Sequence, residues 1–454
     1  MSLSKQANAG AYVLGTDENR EFLGKVRDDL LGFGHRFPAP QGGSYWLDDV
    51  GEPDPSEGIQ TWITCRMTHV YSLGAIAGHE GSTELVDAAL RGLKGILHDD
   101  RNGGWYPSVS EDGTPEPGKV CYTHAFVMLA SASATLIGRP GARELLDEAT
   151  ATFLTHFWDD EAGLAVDTWN TEFTELDPYR GVNANMHTTE AFLALADVLE
   201  DETWRRRAGR IVRHVVGWSE RNEWRIPEHF TADWVPDLEF NADKKDDQFK
   251  PYGATPGHGI EWARLITQYA LSDSSLDKAE RDRLVEAAEA LFRRAVEDGW
   301  ATTPGGRDGL AYTTDWAGKP VVTDRMHWTL AEAVNTSATL FAVTQKQEYA
   351  QWYSRFWAYI DEYLIDHDHG SWFHQLDCDN RVIATVWPGK SDLYHALQCT
   401  LIPLLTPSVS VAPALKERED GIAAERGGSA AARQLRYDAG RFPASVAWSI
   451  LTCM

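Results

Sequence analysis

Six long segments of the chain are nearly uncharged and rich in small residues: 61–78, 122–138, 183–199, 257–271, 327–344 and 391–405. Their apolar positions fill most of a 3.6-residue period, so each predicts a helix buried on most sides. Between them lie charged segments with one apolar stripe: 19–34, 82–98, 142–157, 202–218, 277–298 and 348–367. These predict half-exposed amphipathic helices. Buried and amphipathic helices alternate, six of each.

A third element recurs after the amphipathic segments. Short Gly/aromatic stretches appear at 103–106, 163–167, 223–226, 309–312 and 370–373. Several are followed by a polar turn, Asp112-Gly113, Asp233-Trp234, Ala317-Gly318 or Asp379-Asn380, as short β-hairpins would be. Self-similarity at this period means a repeat architecture. Arg66, His124, His187, His258, His327 and His395 each fall early in a buried helix, at spacings of 58, 63, 71, 69 and 68. Six helical hairpins with a buried inner and a half-exposed outer helix close into an all-α (α/α)6 barrel. An open solenoid would not need inner helices so uniformly apolar. The expected organisation is one barrel domain over 1–410, with the N-terminal ends of the inner helices around a single cavity. An Ala/Arg-rich extension, 411–454, remains to cover the barrel, mediate oligomer contacts or stay partly disordered.

Composition narrows the function. With 42 Lys+Arg against 68 Asp+Glu the formal charge is −26, which argues against nucleic acid as a partner. No apolar run reaches the length of a membrane span, and the first residues show no basic flank or apolar stretch, so a cytoplasmic protein is expected. Five cysteines without a CxxC pair point to reduced thiols. Of 18 tryptophans, several stand beside Gly, Asp or His in loops, where a ring can stack on a sugar face or simply pack.

Barrel closure would bring the helix-start histidines together. Imidazoles titrate near neutrality and can shuttle protons, helix N-termini stabilise a developing oxyanion, and Arg66 adds a fixed cation. His187/Glu190 and His258/Glu261 form His-x-x-Glu pairs that share a helix face. Such a carboxylate can orient an imidazole, and the same spacing can bind a metal, but no dense acidic set is evident to complete a di-metal site. Glycoside hydrolysis needs two flanking carboxylic acids. Asp167, Asp315 and Asp392 are candidates, yet the repeat-aligned positions carry imidazoles, which fit proton transfer beside a carbonyl better.

Five motifs carry a resemblance: residues 179–193 (YRGVNANMHTTEAFL), 250–265 (KPYGATPGHGIEWARL), 308–319 (DGLAYTTDWAGK), 371–377 (SWFHQLD) and 387–396 (WPGKSDLYHA). Over about residues 20–410 the chain resembles the N-acylglucosamine 2-epimerase superfamily, and most of all its aldose–ketose isomerase branch. The resemblance implies that His395 moves the proton between C1 and C2. His258, steadied by Glu261, would help open the sugar ring. His187 would bind the sugar and Arg66 would polarise its O1/O2 region. Tyr122, Asn183, Trp316 and Trp387 would be cleft residues. No metal and no other cofactor is implied, because a cis-enediolate route needs only bases and charge stabilisation. Isomerisation can use one base on one face, whereas epimerisation needs a second base across the ring.

Two positions bear on substrate. Sulfoquinovose-type members carry Gln where this chain has His374 and Ser391. A neutral sugar is therefore expected at these substrate-binding positions. The expected activity is interconversion of D-mannose and D-fructose, with related free sugars such as D-lyxose included. Sulfoquinovose isomerisation and sugar 2-epimerisation are the alternatives. The expected partner is a monosaccharide, with a homo-oligomer left open.

Overall fold

A computed structural model describes residues 9–300 and 308–427. In chain order its first helices are α1 (Asp17–Gly34), α2 (Thr61–Ile76), α3 (Ser82–Leu93), α4 (Cys121–Leu136), α5 (Ala142–His156) and α6 (Val182–Leu199). There follow α7 (Glu202–Arg221), α8 (Pro256–Ser272), α9 (Lys278–Gly299), α10 (His327–Thr344), α11 (Gln347–Tyr359), α12 (Tyr394–Leu401) and α13 (Val411–Gly427). The even-numbered helices α2 to α12 form an inner ring, each packed on its neighbours. The odd-numbered helices α1 to α11 surround it. The ring closes because α12, the last inner helix, pairs with α1, the first outer one. Tyr353 of α11 donates to Asn19 Oδ1 of α1 at 3.0 Å across the same seam. The chain thus folds as the expected (α/α)6 barrel.

The difference between the two rings is written in their side chains. In α2 every residue from Thr61 to Gly74 is buried, whereas in α7 the buried residues form one stripe through Trp204, Ala208, Ile211, Val215 and Trp218. Hydroxyls within the inner ring return to their own helix: Thr68 to the Thr64 carbonyl, Thr188 to Ala184 and Ser337 to Ala333, at 2.6–2.8 Å. A helix buried all round can therefore hold Ser and Thr without stranding a donor.

The recurring Gly/aromatic stretches and polar turns close into short ladders at one end of the barrel. One or two residues before each of five inner helices, the chain pairs antiparallel with the hairpin of the next repeat. The pairs are Gln60 with Ser108, Lys119 with Trp169, Arg180 with Phe230, Ala254 with Thr314, and Arg325 with Leu376. These ladders fix where each inner helix begins, and so where its first side chains point.

Some boundaries differ from expectation. The last outer helix stops at Tyr359 and continues as a π turn over Ile360–Leu364. The last inner helix is shorter than 391–405. It ends at Leu401, before a single 3-10 turn at Ile402–Leu404, because Pro403 has no amide hydrogen to continue the ladder. At the opposite end of the barrel from the hairpins, α13 lies against α2, α4 and α6. Ser410 ties it there: its amide donates to Asp197 Oδ2 at 2.7 Å and its hydroxyl accepts from Gln268 Nε2 at 3.0 Å. The rest of the extension, 428–454, lies outside the described residues. Among the described residues no helix is long and apolar enough to cross a membrane.

Candidate active site

The N-terminal ends of the inner helices surround a cleft of about 480 Å³. The helices contribute Arg66, Tyr122, Asn183, His187, His258, Glu261, His327, Trp328 and His395 to its wall. Loops add Gln248, Phe249, Tyr312, Trp387 and Asp392.

His395 lies on the second residue of α12. Its Nδ1 meets Glu332 Oε1 of α10 at 2.9 Å. Burial would raise the Glu332 carboxyl, but Arg264 and His395 bring it below the usual carboxylate range, so the oxygen accepts and Nδ1–H donates. The free ring nitrogen is then Nε2, a base whose tautomer is fixed from behind. Arg264 of α8 is the hub of this layer. Its Nε is 2.8 Å from Glu332 Oε2, and its Nη2 is 3.6 Å from Glu190 Oε1 and 3.8 Å from Glu261 Oε1. Glu190 in turn meets His187 Nδ1 at 3.4 Å and accepts from the Tyr394 hydroxyl. Burial lowers the His187 imidazole to about 4 despite Glu190, so the ring is neutral at pH 7.

Arg66 forms a buried ion pair with Asp392 and donates from Nη2 to the Tyr122 hydroxyl at 2.9 Å. Its guanidinium lies 4.6 Å from the Phe126 ring centroid and 4.9 Å from that of Tyr394. Burial alone would raise the Asp392 carboxyl; Arg66 and the imidazoles of His395, His327 and His374 hold it well below the usual range. Above this pair Trp62, Tyr122, Phe249 and Trp387 cluster with centroids 5.5–6.4 Å apart, edge to face except for the tilted Trp62–Tyr122 pair. The roof is therefore aromatic and the floor charged.

His258 Nδ1 meets Glu228 Oε2 at 3.0 Å, a carboxylate that arrives from the preceding hairpin. Glu261 is fully buried and neither of its oxygens has a hydrogen bond; its one ion-pair contact among the described residues is the long approach of Arg264 Nη2, 3.8 Å from Oε1. Burial and the nearby Glu332 and Glu190 push its carboxyl well above the usual range, against Arg264 and Arg66. Its environment favours the protonated form, and it lines the cleft.

The structure brings together His395, His327, His258, His187, Glu261, Arg66, Tyr122, Asn183, Trp387 and Asp392 from the sequence-derived set. It places the others elsewhere. His124 is absent from the cleft; its Nδ1 meets the Val120 carbonyl at 2.8 Å and its Nε2 accepts from the Trp105 amide at 3.1 Å. The residue of α4 that matches Arg66 and His187, each sixth in its helix, is Phe126, two residues on and about 200° round the axis. Trp316 stands on a hairpin turn away from the cleft wall and donates to the Leu238 carbonyl at 2.7 Å. His374 and Ser391 sit one layer behind the wall. The His374 ring stacks on His327 at 4.1 Å, and the Ser391 hydroxyl is buried without a partner. The i,i+3 pair His258/Glu261 does not form, since Glu228 takes the imidazole. Sequence reasoning missed Arg264, Glu228, Glu332 and Phe249. Only Phe249, an aromatic in the polar run before the Gly-His-Gly-Ile-Glu-Trp motif, left a local signal.

Among the described residues, two triads of buried groups have donor atoms within metal-binding reach, His187/Glu190/Glu261 and Glu261/Glu332/His395. Both lie against the Arg264 guanidinium, which already balances their carboxylates and would repel a dication. The residues therefore fit a proton-transfer site better than a metal centre.

The sequence profile of the N-acylglucosamine 2-epimerase (GlcNAc 2-epimerase) family matches residues 42–399. D-mannose isomerase of Thermobifida fusca is 42% identical over 405 residues, which cover 87% of this chain and 97% of that protein. D-mannose isomerase of Pseudomonas cannabina pv. alisalensis is 40% identical over 387 residues, 85% of this chain and 92% of the relative. Among solved structures, a D-mannose isomerase superposes with a TM-score of 0.77 at 24% identity, covering 85% of this chain and 97% of the other. Cellobiose 2-epimerase from Spirochaeta thermophila superposes at 0.71 and 21%, covering 90% and 100%. These two share the fold. On the profile match and the two relatives, the chain belongs to the N-acylglucosamine 2-epimerase family.

Proposed function

We propose that this enzyme is an aldose–ketose isomerase that interconverts D-mannose and D-fructose. The observation that carries this reading is His395, whose Nδ1 is held by an ionised Glu332 so that Nε2 serves a cleft also lined by Arg66. In this scheme His395 takes the C2 proton of the open-chain aldose and returns it to C1 on the same face. Electrons from the C2–H bond move into a cis-enediolate, and Arg66 stabilises the charge that develops on O1 and O2. His258, with Nδ1 occupied by Glu228, offers Nε2 for opening the ring. Glu261, a neutral acid, has a proton to lend to a sugar oxygen. His187, also neutral, hydrogen-bonds the substrate together with Asn183 and Tyr122.

A neutral sugar suits the cleft. Arg66, the guanidinium that lines it, is already paired with Asp392, and burial lowers both His187 and His327 to about 4. A sulfonate would meet no unpaired cation on this wall. His374 and Ser391, one layer back, would then act on the sugar only through His327 and Asp392.

The test is incubation with D-mannose in EDTA, with the products followed by NMR. Fructose is expected, with activity unchanged by the chelator. Glucose in its place would make the enzyme a 2-epimerase, and loss of activity in EDTA would make it metal-dependent. In deuterated water His395→Ala should abolish solvent exchange at the reacting carbon while the fold persists. Exchange at the parent rate would remove His395 as the base.

A further inference from the structure

His395 stands on the second residue of α12, so the start of that helix fixes where the base points. Among the described residues α12 is the one inner helix that no antiparallel ladder precedes. Its lead-in, 387–393, carries Trp387 of the roof and Asp392 of the floor. Asp392 joins the two parts. It pairs with Arg66, and its Oδ1 accepts from the Tyr394 amide in the first turn of α12 at 3.1 Å. Whatever holds this stretch therefore sets the floor and the base together.

Lys390 supplies the hold. Its side chain is fully buried, and Nζ lies 2.5 Å from Asp366 Oδ2 and 3.1 Å from the Gly370 carbonyl. The Phe373 ring centroid stands 4.6 Å from the same ammonium. Asp366 is itself anchored, because its Oδ1 accepts from the amides of Asp368 and His369 at 3.0 and 3.1 Å. On the side of the first repeat the Lys390 amide donates to the Leu47 carbonyl at 2.9 Å, and Trp46 Nε1 donates to the Pro388 carbonyl at 3.0 Å. A buried pair gains little net stability once desolvation is counted, but its hydrogen bonds specify one geometry. The proton transfer itself makes no use of either side chain.

An earlier repeat carries the same device. Lys119 Nζ lies 2.9 Å from Asp99 Oδ2, both side chains are buried, and Asp99 Oδ1 accepts from the amides of Arg101 and Asn102. There the backbone pairing of Lys119 with Trp169 also fixes the start of α4. The ion pair supplements a ladder before α4 and replaces one before α12.

We propose that the Lys390–Asp366 pair is a positioning device for the reaction: in place of a ladder, it sets the start of α12 and so the aim of His395 and Asp392. The proposal rests on the isomerase reading of the cleft. Lys390 is not on the cleft wall and acts through those two residues.

The experiment removes both charges, Lys390→Met with Asp366→Asn, so that no buried ion is left uncompensated. Asn keeps an oxygen for the two amides. The double variant should hold a Tm close to that of the parent and yet lose about tenfold or more in kcat for D-mannose, with KM changed less. Solvent deuterium uptake at the reacting carbon should slow in step with kcat. Lys119→Met with Asp99→Asn makes the same change beside a ladder and should keep kcat within about twofold. Trp46→Phe removes only the tie to Pro388 and should lower kcat several-fold; it decides the matter if the Lys390 double variant does not fold. The proposal is overturned if that double variant keeps kcat within about twofold of the parent, or if the Lys119 double variant loses as much as it does. With the Lys390 double variant unfolded, an unchanged kcat in Trp46→Phe overturns it. Failure of the parent protein to turn over mannose overturns the isomerase reading instead.

Discussion

Glu261 shows how far a single side chain can depart from its ordinary chemistry. It lies inside the barrel with neither oxygen hydrogen-bonded, and burial together with Glu332 and Glu190 favours its protonated form. A carboxyl whose folded value is raised contributes stability that is complete below its unfolded value near 4.5 and is lost as pH rises toward the folded value. Glu261→Gln keeps the shape and removes the titration. The variant should gain on the parent protein as pH rises, so denaturant midpoints near pH 5 and near pH 8 should diverge in its favour. Its kcat should fall, because an amide cannot lend the proton. If the parent holds its relative stability at the higher pH, Glu261 is ionised in the fold and is no acid catalyst.

Arg264 belongs to the scale of elements, since one residue of α8 joins α6 through Glu190 and α10 through Glu332, and through Glu332 reaches His395 on α12. It is a positioning residue. Arg264→Gln would leave buried carboxylates uncompensated and should cost about 3–5 kcal/mol in a denaturant titration. Arg264→Lys keeps the charge but loses the planar fork. It should lower kcat more than it raises KM and shift the acid limb of the pH profile, which a purely structural residue would not do.

The same element explains what the sequence could disclose. The inner helices were legible because their lack of charge is local, and the barrel followed from their repetition. Arg66, His187, His258 and His395 were legible because each falls near a helix start. His124 misled because repeat spacing fixes a helix but not a face, and two residues turn a side chain to the other side. The partners Glu228 and Glu332 stand 30 and 63 residues from the imidazoles they hold. Arg264 lies 68 residues from Glu332. Spacing within one helix suggested Glu261 for His258, and only the folded chain shows a hairpin carboxylate arriving first.

At the scale of the whole molecule two electrostatic effects oppose each other as pH falls. The formal charge of −26 repels itself, and that repulsion weakens toward the sequence pI near 4.9, which favours the fold on acidification. Against it stand imidazoles kept neutral by burial: His69, His187 and His327 are lowered to about 4 and His124 to about 3. A depressed value means stability that is complete above the unfolded value of 6.5 and is lost as pH falls below it, at up to about 1.4 kcal/mol per pH unit for each ring. The carboxylates held low by Arg66 and Arg264 begin to count only below about pH 4.5. From roughly pH 6.5 to 5 the four histidines therefore act against the raised carboxyl of Glu261, which favours the fold on acidification. Salt separates the two effects, because at about 1 M the screening length is near 3 Å and acts on the surface charge far more than on buried rings. Tm measured in high salt should therefore fall from pH 6.5 to 5, and more steeply than in low salt. His69→Gln, whose parent ring pairs with Ser133 rather than lining the cleft, should make that slope shallower without changing mannose turnover. A flat high-salt profile would mean that these imidazoles accept protons within the fold.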